Sequence, residues 1–213
     1  MNILSNPTAT KEQLLAWVKT KKPNKLALDL LDLYWCISVE NGVNPILVYC
    51  QSMKETGYLK FGGVLNETFK NPCGLKNTAG GGCTDPNAHM VFDSWAKGIL
   101  AQVEHLALYA GKEGYPLKNP VDPRHFSYLL GKVKTVEGLS GNWAGGNYGE
   151  AIIKMCNEVQ NMKTEEDSNV QELNSQLLSK EEMITSLNKE LENVRREKEE
   201  VLNKINSIKE IVK

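Results

Sequence analysis

The sequence lacks several features that define large classes of protein. It contains no apolar run near the roughly 18 residues of a membrane-spanning helix. It also lacks a surplus of basic charge, since 25 Lys and Arg face 26 Asp and Glu and give a formal net charge of −1. A chain with this balance is not expected to bind nucleic acid along its whole surface. The 213 residues suffice for one or two domains with a hydrophobic core.

The N-terminus lacks the pattern of a secretory signal peptide. Residues 1–13 contain no basic segment followed by an apolar segment. We therefore expect a chain that is made in the cytoplasm and is not exported by a signal peptide. Action outside the cytoplasm would need another route of release.

Cysteines are few and irregularly spaced. The five cysteines include no CxxC pair, which argues against a zinc ribbon or a thioredoxin-type redox pair. Cys73 and Cys83 flank a glycine-rich loop with His89 nearby, so a disulfide or a metal site is one interpretation. Idle thiols in a reducing compartment are the favoured interpretation. His105 and His125 have no metal-like spacing to His89, and we expect no metal or cofactor.

Composition changes abruptly after residue 163. Residues 164–213 contain no aromatic residue, glycine or proline, and their 8 basic and 12 acidic side chains give a net charge of −4. A segment without helix breakers or large core residues is typical of a single long helix. We therefore divide the chain into a body, residues 1–163, and a helical tail, residues 164–213.

Apolar residues in the tail follow a heptad repeat. Eleven of thirteen a and d positions between 170 and 212 are aliphatic, which predicts a coiled coil and hence a homo-oligomer. Lys180 and Lys198 in the seam favour two strands, because long side chains can reach water at a dimer interface. β-branched d residues favour three or four strands. Of these arrangements, we favour a dimer. The a positions are Val170, Leu177, Ile184, Leu191, Lys198, Ile205 and Val212, and the d positions are Leu173, Lys180, Leu187, Val194, Val201 and Ile208.

The body is predicted to be mainly α-helical, with a small β or loop lobe in its middle. A capping box at Thr10 opens the first helix, and Asn24 opens a second helix that runs to Asn41. Asn44, followed by proline, opens a third helix that ends at Gly57. Residues 58–90 show no sustained period and are rich in glycine and proline. Further helices are expected at 94–110, after residue 123 and at 148–162.

Glu55 lies in the last turn of the predicted third helix, directly before the irregular lobe. The apolar run from Ile46 to Met53 indicates that this helix is buried. A carboxyl at the end of a buried helix, facing a cleft, is partly desolvated, and its pKa is expected to rise. A raised pKa is what a general acid needs to stay protonated near neutral pH. The other interpretation is an ordinary exposed glutamate.

Several ordered sequence blocks follow one another along the body. The main block is a Glu-Thr-Gly triplet on a helix end, followed by an Asn-x-x-Gly-Leu-Lys stretch. The blocks are ETGYLKFGG at 55–63, NPCGLK at 71–76, FDSW at 92–95, NPVDPR at 119–124, GNWA at 141–144 and YGEAI at 148–152. Together they resemble the glucosaminidase family of bacterial cell-wall hydrolases (glycoside hydrolase family 73), especially its clostridial and phage-type members, over about residues 26–160.

This resemblance implies a fold and an activity. The fold would be lysozyme-like, with a helical body, a small β lobe and a groove between them. The activity would be hydrolysis of the β-1,4 bond between N-acetylglucosamine and N-acetylmuramic acid in peptidoglycan, without a cofactor. Glu55 matches the general acid of the family, which protonates the leaving glycosidic oxygen.

The resemblance also implies where a second catalytic carboxylate would lie. In the family this group lies roughly thirty or more residues after the acid, in the lobe, which points to Asp85, with Asp93 and Glu67 as rivals. Asp85 precedes a proline and is also a turn residue, and Asp93 is also a helix cap. A retaining route, an inverting route and attack by the substrate's own acetamide oxygen all remain open.

Aromatic and polar side chains near these blocks are candidates for contacts with sugar rings. For each aromatic, packing in the core is a serious alternative. The candidate substrate-binding residues are Tyr58, Phe61, Asn71, Lys76, Trp143 and Tyr148.

Other functions compete with this one. A phage endolysin released by a holin, or a lysin carried in a virion, would explain how a chain without a signal peptide reaches the wall. A muramidase or lytic transglycosylase is an alternative, although the chain lacks a Glu-Ser-x-Phe-x-Pro run. The non-enzymatic alternative is a wall-docking or assembly protein that acts through its coiled coil.

Overall fold

The protein is mostly helical and divides into two compact units, Met1–Lys163 and Thr164–Lys213. The structure, a computed structural model, describes residues 1–211 apart from the side chains at positions 165, 166, 168, 209 and 211. The first unit contains six α-helices, and the second contains one. The helices are α1 (Lys11–Thr20), α2 (Lys25–Asp29), α3 (Leu31–Glu40), α4 (Pro45–Thr56), α5 (Trp95–Ala110), α6 (Tyr148–Gln160) and α7 (Glu165–Ile211).

Most helix ends lie where local signals predict them. The Thr10 hydroxyl accepts a hydrogen bond from the Gln13 amide, and the Gln13 side chain accepts one from the Thr10 amide, so the capping box is confirmed. Asn44 Oδ1 accepts from the Ile46 amide at 2.9 Å and caps α4. Gly57, at φ +59°, ends α4 in the left-handed conformation that favours glycine.

The predicted second helix is wrong in its extent, because the chain breaks it at Leu30. Asn24 caps α2 as predicted, but α2 ends at Asp29 and α3 begins at Leu31. Tyr49 of α4 contacts both sides of the break. Its hydroxyl donates to the carbonyl of Ala27 at 2.7 Å, and its ring packs edge-on against Tyr34 at 5.1 Å.

Helices α4 and α5 form the centre of the body. Ten of the twelve residues of α4 are buried, and it packs between α3 and α6. Twelve of the sixteen residues of α5 are buried, and α5 packs against α3. The burial of α4 matches its apolar sequence and fixes the backbone that carries Glu55.

The lobe between α4 and α5 is a loop lobe without a β-sheet among the described residues. It contains two 3-10 helices, Glu67–Phe69 and Pro86–Ala88, and one isolated bridge that pairs Lys76 with His89. Its frequent glycine and proline explain why extended pairing does not continue. Cys73, Leu75 and Phe92 form a small core of their own under the lobe.

The segment between α5 and α6 contains only 3-10 helices. The predicted helix after residue 123 is replaced by short turns at Ser127–Leu129 and Glu137–Leu139. Helix α6 begins at Tyr148 as predicted. Cys73 and Cys83 are free thiols, so the disulfide alternative is not found. Among the described residues, no group of three or more potential metal ligands occurs.

The second unit is the 47-residue helix α7. The aliphatic a and d residues from Val170 to Ile208 are all exposed on this single chain. The last predicted a position, Val212, lies outside the described residues. Within the described part of the chain, no helix is both long enough and apolar enough to cross a membrane.

Candidate active site

Glu55 occupies the last turn of α4, and two side chains from the C-terminal part of the body hold its carboxylate. The Tyr148 hydroxyl, from the first turn of α6, donates a short hydrogen bond to Glu55 Oε1. The Trp143 indole N–H donates to the same oxygen at 3.2 Å. No described residue donates to the other carboxylate oxygen, Oε2. The arrangement fixes one oxygen and leaves the other available.

The environment of Glu55 is crowded on one side and open on the other. Burial of the carboxyl group in dense protein raises the pKa of Glu55 above its ordinary value. Hydrogen bonds from Tyr148 and Trp143, and the charge of Lys54, oppose this rise. The residue as a whole is nevertheless exposed, so solvent weakens the effect compared with an enclosed carboxyl. The net direction is upward, as the sequence predicts for a general acid.

A buried chain of amides supports Tyr148 from behind. Gln51 of α4 donates to the Tyr148 hydroxyl at 3.3 Å and accepts from Gln102 of α5 at 2.8 Å. The Gln102 side chain also donates to the Val48 carbonyl at 3.0 Å and accepts from the Ser52 hydroxyl at 2.8 Å. The three helices around the carboxylate are therefore joined by hydrogen bonds, as a rigid site requires.

Trp143 is positioned by rings of α5. His105 lies edge-on to the Trp143 ring at 5.2 Å, and Tyr109 lies edge-on at 6.4 Å. His105 is itself fixed because its Nδ1 bonds to Asp122 Oδ2 at 2.8 Å. The Asp122 side chain is fully buried, and it also contacts His125 Nδ1 at 3.4 Å. This chain of contacts holds the indole N–H toward Glu55.

A cavity of about 380 Å³ opens on the face of Trp143. Its cationic lining residues are Lys76 from the lobe and Arg124 from the loop after α5, and its lining includes no Asp or Glu. Burial raises the pKa of the Cys73 thiol in this lining, and the charges of Glu55 and Asp122 raise it further. The lining residues are Cys73, Gly74, Leu75, Lys76, His105, Tyr109, Arg124, Tyr128, Leu129, Asn142 and Trp143.

The structure brings three of the predicted substrate-binding residues to this region. Trp143 and Tyr148 contact Glu55 directly, and Trp143 also lines the cavity. Lys76 also lines the cavity, and its ammonium group donates to the Gly81 carbonyl and lies 3.6 Å from Cys83 Sγ. Trp143 and Tyr148 therefore meet at the end of α4, whereas Lys76 shares only the cavity lining with Trp143.

The other three predicted substrate-binding residues are engaged in contacts within the protein. Asn71 is fully buried, donates to the carbonyls of Leu75 and Met90, and so holds the lobe together. The Tyr58 ring packs against Trp17 at 6.0 Å, away from the cavity lining. Phe61 is half-buried and packs on the main core. None of the three lines the cavity on the face of Trp143.

The candidates for a second carboxylate all have local partners. Asp85 is exposed, and its Oδ1 accepts from the Asn87 amide at 2.9 Å, which caps a 3-10 helix. Asp93 pairs with Lys97 at 2.5 Å, one turn along the chain. Glu67 accepts from the Asn24 side chain at 2.9 Å. No hydrogen bond among the described residues joins any of them to Glu55 or to the side chains that hold it.

Sequence reasoning missed the polar residues behind the site. Gln51, Gln102 and Asp122 are buried, yet only one signal could have found them. That signal is a polar residue inside an apolar helical run, as for Gln102 between Ala101 and Val103. Buried polar groups usually have hydrogen-bond partners, so such positions predict a network but not its members.

Comparison with known proteins links this chain to a protein of Borreliella burgdorferi. That relative, described only as an uncharacterized protein, is 35% identical over 107 residues. The match covers about half of this chain, and the chain spans about half the length of that relative. No protein-family model and no solved structure matches the chain. The comparisons therefore assign no family, and function is inferred from the site itself.

Proposed function

We propose that the body is a peptidoglycan hydrolase that cleaves the β-1,4 bond between N-acetylglucosamine and N-acetylmuramic acid. One observation carries the proposal. Glu55 is a solvent-accessible carboxyl with a raised pKa, fixed at one oxygen by two donors, and one of these donors, Trp143, also lines an aromatic and polar cavity. A positioned carboxyl group with a raised pKa is what a general acid in glycosidic bond cleavage needs.

The two carboxylate oxygens of Glu55 have different roles in this proposal. Oε1 accepts from Tyr148 and Trp143, so the proton of the acid form belongs on Oε2. Oε2 then donates that proton to the leaving glycosidic oxygen as an oxocarbenium-like state develops on the sugar. The two donors stabilise the carboxylate that remains after transfer, without needing to move.

A second protein carboxylate has little support near Glu55. The cavity lining contains no Asp or Glu, and Asp85 caps a turn in the exposed part of the lobe. We therefore favour the route in which the acetamide oxygen of the N-acetylated sugar attacks its own anomeric carbon. This route needs one protein acid and a substrate that carries an acetamide group.

The proposal extends to fold, assembly and place of action. The order of helical body, irregular lobe and helical body is consistent with a lysozyme-like arrangement whose lobe is a loop instead of a sheet. The exposed heptad stripe of α7 supports a homo-oligomer, with two strands favoured. Release by a holin, or carriage in a virion, is the proposed route to the wall for an endolysin or virion-associated lysin.

The test is mass spectrometry of fragments released from purified peptidoglycan and then reduced with borohydride. Wild type should release reduced N-acetylglucosamine ends, and Glu55→Gln should lower the rate at least about 1,000-fold, because an amide N–H is too weakly acidic to protonate the leaving oxygen. Glu40→Gln is the matched control, since Glu40 is also an exposed glutamate in the last turn of a helix.

Other outcomes would redirect the proposal. Reduced or anhydro N-acetylmuramic acid ends would identify a muramidase or a lytic transglycosylase. No release from several wall types, with full biological effect retained by Glu55→Gln, would favour a docking or assembly protein that acts through α7.

A further inference from the structure

Two cationic side chains line the cavity beside Trp143, Lys76 from the lobe and Arg124 from the loop that follows α5. The Lys76 ammonium donates to the Gly81 carbonyl and lies 3.6 Å from Cys83 Sγ, and neither of these groups is a carboxylate. Neither side chain forms an ion pair within the described residues. The Arg124 guanidinium lies 4.7 Å from the Phe126 ring centre, and a Cβ added at Gly80 of the lobe would lie 3.5 Å from Arg124 Nη1.

Acidic residues on the neighbouring elements are already engaged. Asp122 is buried with His105 and His125, and Glu104 accepts hydrogen bonds from the amides of Val121 and Asp122 at 2.7 and 2.9 Å. Neither acid lines the cavity. A ligand anion in the cavity would therefore meet two cationic side chains, and no carboxylate of the lining would compete with it for them.

Aromatic rings form the rest of a recognition surface. Tyr128 is 61% exposed although it is large, and its ring stacks on Phe126 at 5.6 Å with 12° between the planes. Arg124 lies over the Phe126 ring of this stack, and Trp143 lines the same cavity as Tyr128. Flat rings beside fixed cations suit a sugar ring that bears an anionic substituent.

We propose that this cavity is a carboxylate-reading subsite, in which Arg124 and Lys76 bind an acid group carried by the glycan. The inference rests on the proposed function for the nature of the polymer. Peptidoglycan supplies such a group as the lactyl carboxylate of N-acetylmuramic acid or as a carboxylate of its stem peptide. Since Trp143 contacts both Glu55 and the cavity, the acidic sugar would lie next to the bond that is cut.

The consequence is selectivity between two chemically similar polymers. Chitin has the same β-1,4 linkage and the same acetamide groups but no carboxylate. The subsite therefore selects peptidoglycan over chitin, whereas the Glu55 contacts alone would accept both.

The test measures binding by calorimetry in the Glu55→Gln protein, which holds the ligand without cutting it. Three ligands are compared: chitotetraose, an alternating N-acetylglucosamine and N-acetylmuramic acid tetrasaccharide with free lactyl groups, and the same tetrasaccharide carrying stem peptides. Adding Arg124→Gln should raise Kd for the acidic ligands about 10- to 100-fold, with less than a twofold change for chitotetraose. Lys76→Gln tests the other wall independently if Arg124→Gln fails to fold.

The control is Lys19→Gln, which removes an exposed positive charge from α1, a helix that contributes nothing to the cavity lining. Stronger binding of the free lactyl ligand identifies the lactyl carboxylate, and stronger binding of the peptide ligand identifies the stem. Equal losses for all three ligands, or no binding of the acidic ones, would overturn the subsite. If the protein binds the acidic ligands selectively but wild type does not hydrolyse peptidoglycan, the proposed function is wrong and the subsite stands. If wild type hydrolyses peptidoglycan but binding is unselective, the proposed function stands and the subsite is wrong.

Discussion

At Glu55, burial and hydrogen bonding act on the pKa in opposite directions. Burial favours the neutral acid, whereas the donors Tyr148 and Trp143 favour the charged carboxylate. A general acid needs both influences, because it begins protonated and ends charged within one step. The balance between them sets the pH above which the acid is no longer available.

Removing one donor should move that pH in a known direction. Tyr148→Phe deletes the hydroxyl that lowers the pKa of Glu55, so the pKa should rise further. The acid is active when protonated, and activity falls as pH rises through its pKa, so the alkaline limb of kcat/KM should move to higher pH. The maximum rate should fall as well, because the carboxylate product loses a stabilising contact.

The measurement is the pH profile of fragment release, with Tyr115→Phe as the control. Tyr115 is a half-buried tyrosine that packs near His125 and makes no contact with Glu55. An alkaline limb that stays in place, or moves to lower pH, in Tyr148→Phe would contradict the assignment of Glu55 as the acid.

Asp85 provides the residue-scale test of the second group. Its carboxylate caps a 3-10 turn, and the asparagine side chain can accept the same hydrogen bond from the Asn87 amide. Asp85→Asn should therefore keep at least about half of wild-type activity, because the acetamide route needs no second acid. A loss of about 100-fold or more, with the fold intact by circular dichroism, would instead restore Asp85 as a catalytic carboxylate.

At the scale of elements, local signals predict helix ends better than they predict packing. The caps at Thr10, Asn44 and Gly57 act through hydrogen bonds within a few residues, and all three are confirmed. The contacts of Tyr49 with Ala27 and Tyr34, on either side of the break at Leu30, join residues about twenty apart, and no local pattern contains that information. The same limit applies to the lobe, where Asn71 organises a loop that sequence reasoning left open between strand and loop.

Gly98 illustrates a packing requirement that local propensity contradicts. Alanine in a helix interior is normally better than glycine by about 1 kcal/mol. A Cβ added at Gly98 would lie 1.9 Å from the carbonyl oxygen of Lys70, so α5 and the lobe would have to separate. Gly98→Ala should therefore destabilise the protein by a net of about 1–3 kcal/mol.

The measurement is urea unfolding followed by circular dichroism, with Gly63→Ala as the control. Gly63 has open space around its Cβ position and no positive φ, so alanine should be tolerated there. Fragment release by Gly98→Ala should also fall, because the lobe carries Lys76 and part of the cavity wall. A Gly98→Ala protein as stable as wild type would show that the lobe adjusts at no cost.

At the scale of the whole molecule, the site is assembled from positions far apart in the chain. Glu55 was a candidate from its place at the end of a buried helix, which is a property of nearby sequence. Trp143 and Tyr148 lie about ninety residues later, Tyr148 at the start of α6 and Trp143 in the loop before it, and both contact Glu55. Sequence alone could not separate them from Tyr58 and Phe61, because all four are aromatic residues near the same blocks.

The apolar stripe of the tail is exposed to solvent on the single chain. Leu187 is 57% exposed at a central d position, and the stripe continues in both directions along α7. Burial of exposed aliphatic residues against a second helix lowers the free energy of the assembly. A second copy of α7 offers the same repeat in register, and the ammonium groups of Lys180 and Lys198 can reach water from within a two-stranded seam.

Sedimentation equilibrium of the full chain tests this arrangement. Wild type should sediment at twice the chain mass at micromolar concentration. Three times the chain mass would instead indicate a three-stranded coiled coil, as the β-branched d residues favour. Leu187→Lys should shift the protein toward the monomer, because it places a charge inside the seam. Ser186→Lys adds the same charge at the neighbouring outward position and should leave the mass unchanged. A monomeric wild type, or equal effects of the two substitutions, would mean that the stripe serves another partner.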